Sequence, residues 1–298
     1  GWTDLYMLNM QGNDQVFLNR NGKRFDRAAK NLFPKTSWGA MGIKAMDFEN
    51  DGDLDIFITD MHSDMSEHVG PEKEKEKAAM QWPPSFLKTE NSSVFGNAFF
   101  RRTDDGEFEE VSDQLGAENY WPWGLSVDDL NADGFDDAFL TSSMNFPLRY
   151  GVNSLLLNDR GERWRDAEFI LGVEPRAGGL AVPWFELDMV GADKEAPVLE
   201  ILENEGADLA TFPDRVVVWG AMGSRSSAIF DLDDDGDLDI VTNEMNHHPM
   251  VLLSNLSEKN PDLAFLKVKL VGTKSNRSAL GAVVRVKAGE LSLMKVKD

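Results

Sequence analysis

Asp231-Leu232-Asp233-Asp234-Asp235-Gly236-Asp237-Leu238-Asp239 is written three times in this chain, with small changes. The other copies are Asp47-Phe48-Glu49-Asn50-Asp51-Gly52-Asp53-Leu54-Asp55 and Asp129-Leu130-Asn131-Ala132-Asp133-Gly134-Phe135-Asp136-Asp137. Oxygens at positions 1, 3 and 5 of so short a loop converge only if the chain turns sharply at position 6, where each copy has glycine. Position 7 (Asp53, Phe135, Asp237) offers its carbonyl, and position 9 (Asp55, Asp137, Asp239) a further carboxylate. A hard cation that takes six to eight oxygen ligands fits such a set, and the spacing predicts Ca2+. A solvated acidic turn is the competing reading of any one copy. Three copies in register, each with glycine at the same place, argue against it.

An EF-hand opens in the same way, but it requires a bidentate Glu at position 12 and helices on both sides. Here position 12 is Ile58, Leu140 or Thr242, and each loop runs into a β-branched and aromatic segment: Ile56-Phe-Ile-Thr59, Ala138-Phe-Leu-Thr141 or Ile240-Val-Thr242. The loop therefore feeds a strand. A short apolar segment enters each loop, and two further strands come after it, as in Asn97–Arg101 with Gly106–Val111 and Asn153–Asn158 with Gly161–Arg165. Four short strands per recurring unit make an all-β chain of β-propeller blades. Gly1-Trp-Thr-Asp4 matches the motif from its glycine onward, so Asp4 is the position-9 carboxylate of a fourth, partial site. The reading is thus of about four blades, the first one partial, with three complete calcium sites and one incomplete.

These residues resemble the FG-GAP/VCBS propeller repeats, in particular secreted proteins that end in an ASPIC/UnbV domain, the cartilage acidic protein-like group. The resemblance covers nearly the whole chain. Its most specific part is Leu266-Lys-Val-Lys-Leu-Val-Gly272-Thr-Lys-Ser-Asn276-Arg277-Ser-Ala-Leu-Gly281-Ala282-Val-Val-Arg-Val286, which looks like the start of the ASPIC/UnbV module. It implies propeller blades over residues 1–260, with insertions at 61–92 and 168–214, and a small β domain beginning at 261–298. It also implies an intact ring of about seven blades, so that the chain is expected to be truncated at both ends. An open ring exposes sheet edges, which raises the expectation that other chains complete it.

The net charge is −22, which argues against a nucleic-acid partner, whose phosphates require Lys and Arg clusters. No apolar run reaches the roughly 20 residues of a membrane span. There are no cysteines, so calcium takes the stapling role that disulfides have elsewhere. Extracellular modules tolerate calcium dissociation constants of roughly 0.1 to 1 mM, and such sites would stand empty in a cytosol. The expected setting is therefore secreted or cell-surface, and the expected role is binding, adhesion or matrix assembly with a protein or glycan partner.

An enzyme acting on extracellular polysaccharide is the alternative. The four histidines (His62, His68, His247 and His248) fall in connections at the end of the blades opposite the calcium loops, beside Asp60, Asp64 and Glu244, and that end is expected to be the binding surface. No Walker A, G-x-S-x-G, H-E-x-x-H or dinucleotide fingerprint is present, so the expectation is a protein that is not an enzyme. The segment Glu72–Met80 has charges at helical spacing. The pentapeptide Trp-Gly-Ala-Met-Gly recurs at 38–42 and 219–223 and reads as blade packing.

Overall fold

Strands that must be buried on both faces carry continuous apolar runs, and the computed structural model places the segments after the acidic loops in that setting. It describes residues 2–10, 12–28, 32–33, 35–61, 93–94, 96–119, 121–143, 150–204, 206–212, 214–274, 276–289 and 291–297. The first blade comprises β1 (Leu5–Met7), β2 (Gln15–Asn19) and β3 (Phe25–Arg27). After β4 (Thr36–Ser37) come β5 (Ala40–Met46), β6 (Asp55–Asp60), β7 (Ser93–Val94), β8 (Ala98–Arg102) and β9 (Phe108–Glu110). β5-β6-β8-β9 form the second blade, while β4 and β7 pair in parallel beside it. Helix α1 (Ser112–Leu115) leads to the third blade, β10 (Pro122–Asp128), β11 (Asp137–Ser142), β12 (Ser154–Asn158) and β13 (Trp164–Asp166). Next come β14 (Ala181–Asp188), helix α2 (Pro197–Asn204) and β15 (Arg215–Ala221). The fourth blade is β16 (Ser224–Phe230), β17 (Asp239–Glu244) and β18 (Met250–Leu252), succeeded by helix α3 (Leu256–Lys259). A hairpin of β19 (Val283–Ala288) and β20 (Leu291–Val296) ends the described chain.

The blades are antiparallel throughout, and the fold is the all-β propeller type expected, without closure into a barrel. The inner strands β5, β10 and β16 stand side by side. Blades join through side chains that alternate along the middle strands. Ile56, Ile58, Ala98 and Phe100 enter a core shared with the first blade's Val16 and Tyr6. Phe57 and Phe99, one residue out of phase, meet Ala138, Leu140, Leu156 and Trp164 of the third blade. Phe139 and Leu155 then face the fourth blade's Ile240 and Leu252. The period of two thus gives each sheet two buried faces, and the apolar runs after the acidic loops are its signature. Polar contacts add to the seams: the Thr59 hydroxyl donates to the Trp123 carbonyl at 3.3 Å, and the Ser126 hydroxyl to the Ser227 carbonyl at 3.0 Å.

One expectation requires correction. The Trp-Gly-Ala-Met-Gly pentapeptides are not equivalent. Gly39 and Gly223 are the matching positions, since their carbonyls accept from Met61 and Met245, the residues just beyond Asp60 and Glu244. The second pentapeptide therefore lies three residues earlier in the repeat, with Trp219 exposed in β15. Residues 168–214, the second expected insertion, hold regular structure of their own. They carry β14 and α2, and β14 pairs with β15 over a small core of Leu187, Leu199, Val216 and Val218. Its alternating side is shared between segments far apart in sequence, so neither shows a pattern long enough to read. The insertion at 61–92, with the expected Glu72–Met80 helix, lies outside the described residues apart from Met61.

Candidate metal centre

Each acidic loop joins the first strand of a blade to the second, so all three project from the same end of the blades. The turn is made by two left-handed conformations separated by one residue: Asn50 and Gly52, Ala132 and Gly134, Asp234 and Gly236, with φ of 59° and 94°, 58° and 91°, and 64° and 99°. At Gly52, Gly134 and Gly236 a side chain would be strained whatever the available space.

Position 1 folds the loop onto itself. Asp47 accepts from the backbone N–H groups of Asp51 and Gly52 at 2.9 and 3.0 Å, and Asp129 from those of Asp133 and Gly134 at 3.1 and 2.9 Å. Position 9 has a different task. One oxygen of Asp55, Asp137 or Asp239 accepts from the N–H of position 2 (Phe48, Leu130 or Leu232) at 2.9 to 3.1 Å. The other accepts at 2.8 Å from the end of the blade's third strand or the residues just beyond it: Arg102, Asn158 or Ser254. Asp4 makes the corresponding bond, accepting from the Asn19 N–H at 2.7 Å, which gives it the same structural place in the partial first blade. Each carboxylate oxygen retains a second lone pair for a cation.

Gathering these acids without a cation between them raises their proton affinity. Burial pushes Asp47 and Asp129 up to about 6 and Asp137 up to about 7, against the hydrogen bonds that favour their charged forms. Burial and the neighbouring Asp55 push Glu49 up to about 8, although Arg101 pairs with it. A divalent cation at the same place would act in the opposite direction.

The loops differ in how far their carboxylates converge. Among the described residues, groups of three with oxygens all within 4.8 Å of one another occur only at the fourth blade: Asp231, Asp233 and Asp239, and beside them Asp235, Asp237 and Glu258. In the second blade Glu49 is drawn to Arg101. In the third, Asn131 stands at position 3 and Phe135 at position 7, which leaves Asp129, Asp133 and Asp137 as the loop's acidic positions among those predicted. Glu258 was not legible as a site residue, because it lies 19 positions beyond the motif on a helix that the other blades lack.

Sequence reasoning also left open what covers this end of the molecule. Residues 263–270, 284–286 and 291–297 lie against it. Lys267 Nζ is 2.9 Å from Asp231 Oδ2 and 2.5 Å from Asp234 Oδ1, and Phe265 stands over Gly236. Lys295 pairs with Asp128 and Asp136, and Leu291 stands over Gly134. A cavity of about 630 Å3 remains between this segment and the blades, lined by apolar residues such as Leu130, Ile229, Phe265 and Leu293 and by charged ones such as Asp129 and Lys295. The Lys267 ammonium sits against Asp231, position 1 of the fourth blade's loop, where a bound cation would compete with it. Replacing Lys267 by Met is expected to raise that loop's calcium affinity roughly two- to five-fold, the scale of an exposed ion pair. Calorimetric titration checks this, and an unchanged or weaker affinity would place the lysine outside the cation's path.

The opposite end has no comparable cluster of converging acids among the described residues. His62, His68 and Asp64 lie outside them. His247 and His248 are exposed, with ring centroids 5.6 Å apart. Asp60 and Glu244 are buried in structural roles: Asp60 accepts from the Gly39 N–H at 2.7 Å, and Glu244 from the Ser224 and Thr242 hydroxyls at 2.6 and 2.5 Å.

Comparison with known families gives one match. The FG-GAP-like repeat matches residues 1–58, which span the first blade and the second as far as Ile58 in β6, including the first complete acidic loop. A search of curated proteins returns no match to the chain. No helix among the described residues is long and apolar enough to cross a membrane.

Proposed function

We propose that this chain is a calcium-stabilised propeller segment that acts outside the cell as a binding or adhesion module, with calcium structural and no catalytic role. One observation carries the reading: the acidic nonapeptide recurs three times, and in each copy the same aspartate ties the loop to its blade's third strand. The FG-GAP-like match at 1–58 supports the same assignment, since such repeats are typical of extracellular binding and adhesion modules. The cation set is Asp47, Glu49, Asp51, Asp53 and Asp55 in one loop, and Asp129, Asn131, Asp133, Phe135 and Asp137 in the next. In the third it is Asp231, Asp233, Asp235, Asp237 and Asp239, with Asp4 as part of a further set.

The segment from 261 onward is read as the opening of an ASPIC/UnbV-like β domain in a cartilage acidic protein-like architecture. Because that segment covers the loop end of the blades, the protein or glycan ligand is assigned to the opposite end, from which residues 61–92 emerge. The test is retention of the protein on a panel of glycans and matrix polymers in millimolar calcium, with soluble products assayed in parallel. Retention that disappears with chelator supports the binding module. Release of cleaved polymer would overturn it in favour of an enzyme.

A further inference from the structure

Asp235 and Asp237 belong to the acidic loop by sequence, yet with Glu258 they form a second group of converging carboxylates, which adjoins the first through the contact of Asp235 with Asp233. The cause is local. In the second and third blades the chain leaves the third strand through a hairpin into a fourth. In the fourth blade it enters α3 instead, and Ser257 fastens that helix to the loop. The Ser257 N–H donates to Asp237 Oδ2 at 2.8 Å and its hydroxyl to Asp235 Oδ2 at 2.5 Å. Glu258, the next residue, completes the group, with its carboxylate exposed to solvent.

Two further observations point to a ligand. Asp237 is 4% exposed, and its second oxygen, Oδ1, is buried with no hydrogen-bond partner. Leaving a buried carboxylate oxygen bare is expensive unless a cation or a proton meets it. Charge counting agrees. Asp231, Asp233, Asp234, Asp235, Asp237, Asp239 and Glu258 bring seven formal negative charges together, and one Ca2+ with the Lys267 ammonium offsets three of them. A second divalent ion raises that to five.

We propose that the five-residue set of the fourth blade's loop holds two divalent cations, one at Asp231, Asp233 and Asp239 and a second at Asp235, Asp237 and Glu258, with Asp235 lying between the two and Glu258 the ligand contributed from outside the repeated loop. The inference rests on the calcium reading of the loops. The second ion pins α3 to the blade, and α3 leads directly into the segment that covers the loop end. It therefore fixes the junction between the propeller and residues 263–297.

The test counts calcium bound per chain, by equilibrium dialysis against calcium chloride, for the native protein, Glu258→Gln, Asp231→Ala and the double variant; position 1 is chosen because every copy of the loop has aspartate there, whereas the third blade carries Asn131 at position 3. Glu258 is exposed, so its substitution leaves the fold intact. Each single variant is expected to bind one ion fewer than the native chain, and the double variant two fewer. If the double variant loses no more than either single one, the two groups share one ion and the proposal is overturned. It is overturned equally if Glu258→Gln binds as many ions as the native chain while Asp231→Ala loses one. Absence of calcium binding by the native chain would instead remove the calcium reading of the loops.

Discussion

Chelating calcium is expected to lower the melting temperature of this protein by roughly 8 to 16 °C at neutral pH. Three loops, each at ten times its dissociation constant, contribute about 4 kcal/mol together, and a domain of this size shifts by about 2 to 4 °C per kcal/mol. The effect is amplified structurally, because Asp55, Asp137 and Asp239 each join a loop to a third strand. Loosening a loop therefore loosens a blade. The pH dependence has a definite sign. Asp47, Asp129, Asp137 and Glu49 have folded values of about 6 to 8 without a cation, above unfolded values near 4. In the chelated protein their destabilisation is fully present above the folded values and fades as pH falls toward 4. In the calcium-bound protein the same protons compete with the ion. The gap between the two melting curves, measured by scanning calorimetry, should shrink steadily from pH 8 to pH 5. A melt indifferent to chelator at pH 7.5 would remove calcium from the account of stability.

The second large effect belongs to the other end of the blades. Arg176 is buried, with Nε 3.7 Å from Glu174 Oε1 and Nη1 3.6 Å from Glu244 Oε2. Its Nη2 donates to the Ser224 hydroxyl at 2.9 Å and the Gly151 carbonyl at 3.2 Å, and the guanidinium lies over the Tyr150 ring. Glu174, which also accepts from Tyr150 and from the Asn153 N–H, is held above the usual carboxylate range by burial despite these partners. This cluster bridges the third and fourth blades. Replacing Arg176 by Met leaves two buried carboxylates without a counter-charge, and breaking such a pair costs about 3 to 5 kcal/mol, or roughly 6 to 20 °C in melting temperature. Because Glu174, already held high by burial, loses the cation that opposes its protonation, the deficit should narrow as pH falls from 7 to 5. A loss that stays constant over this range would mean that shape, not charge, holds the seam.

Glu174 has a counterpart in the preceding blade. Asn97 donates its N–H to Glu118, as Asn153 does to Glu174, and the two pairs are 21 residues apart in sequence in both cases. Asn119 then reaches Ser142 of the third blade at 3.0 Å. These buried polar ties recur in successive blades, as the acidic loops do, but they escaped sequence reading. Each combines an Asn and a Glu from opposite sides of a variable connection, and Asn and Glu are common residues in any acidic chain.

The acidic loops were legible because their geometry is local: nine residues, one obligatory glycine and an apolar strand contain all the information needed to close the turn and bury the strand after it. The propeller class was legible for the same reason, since two-sided burial imposes uninterrupted apolar runs such as Ile56–Ile58 and Ala138–Leu140. Sequence could also assign Asp4 to position 9, which its bond to Asn19 reproduces. Tertiary structure alone decided the rest. It drew Asp235 and Asp237 of the fourth blade's loop into a second group by bringing in Glu258 on α3, set Lys267 and Lys295 over the loop end, and showed that the second Trp-Gly-Ala-Met-Gly is out of step with the first. Each of these depends on which distant segment packs against a blade, a choice made by the summed burial and charge pairing of whole surfaces that no short window of sequence contains.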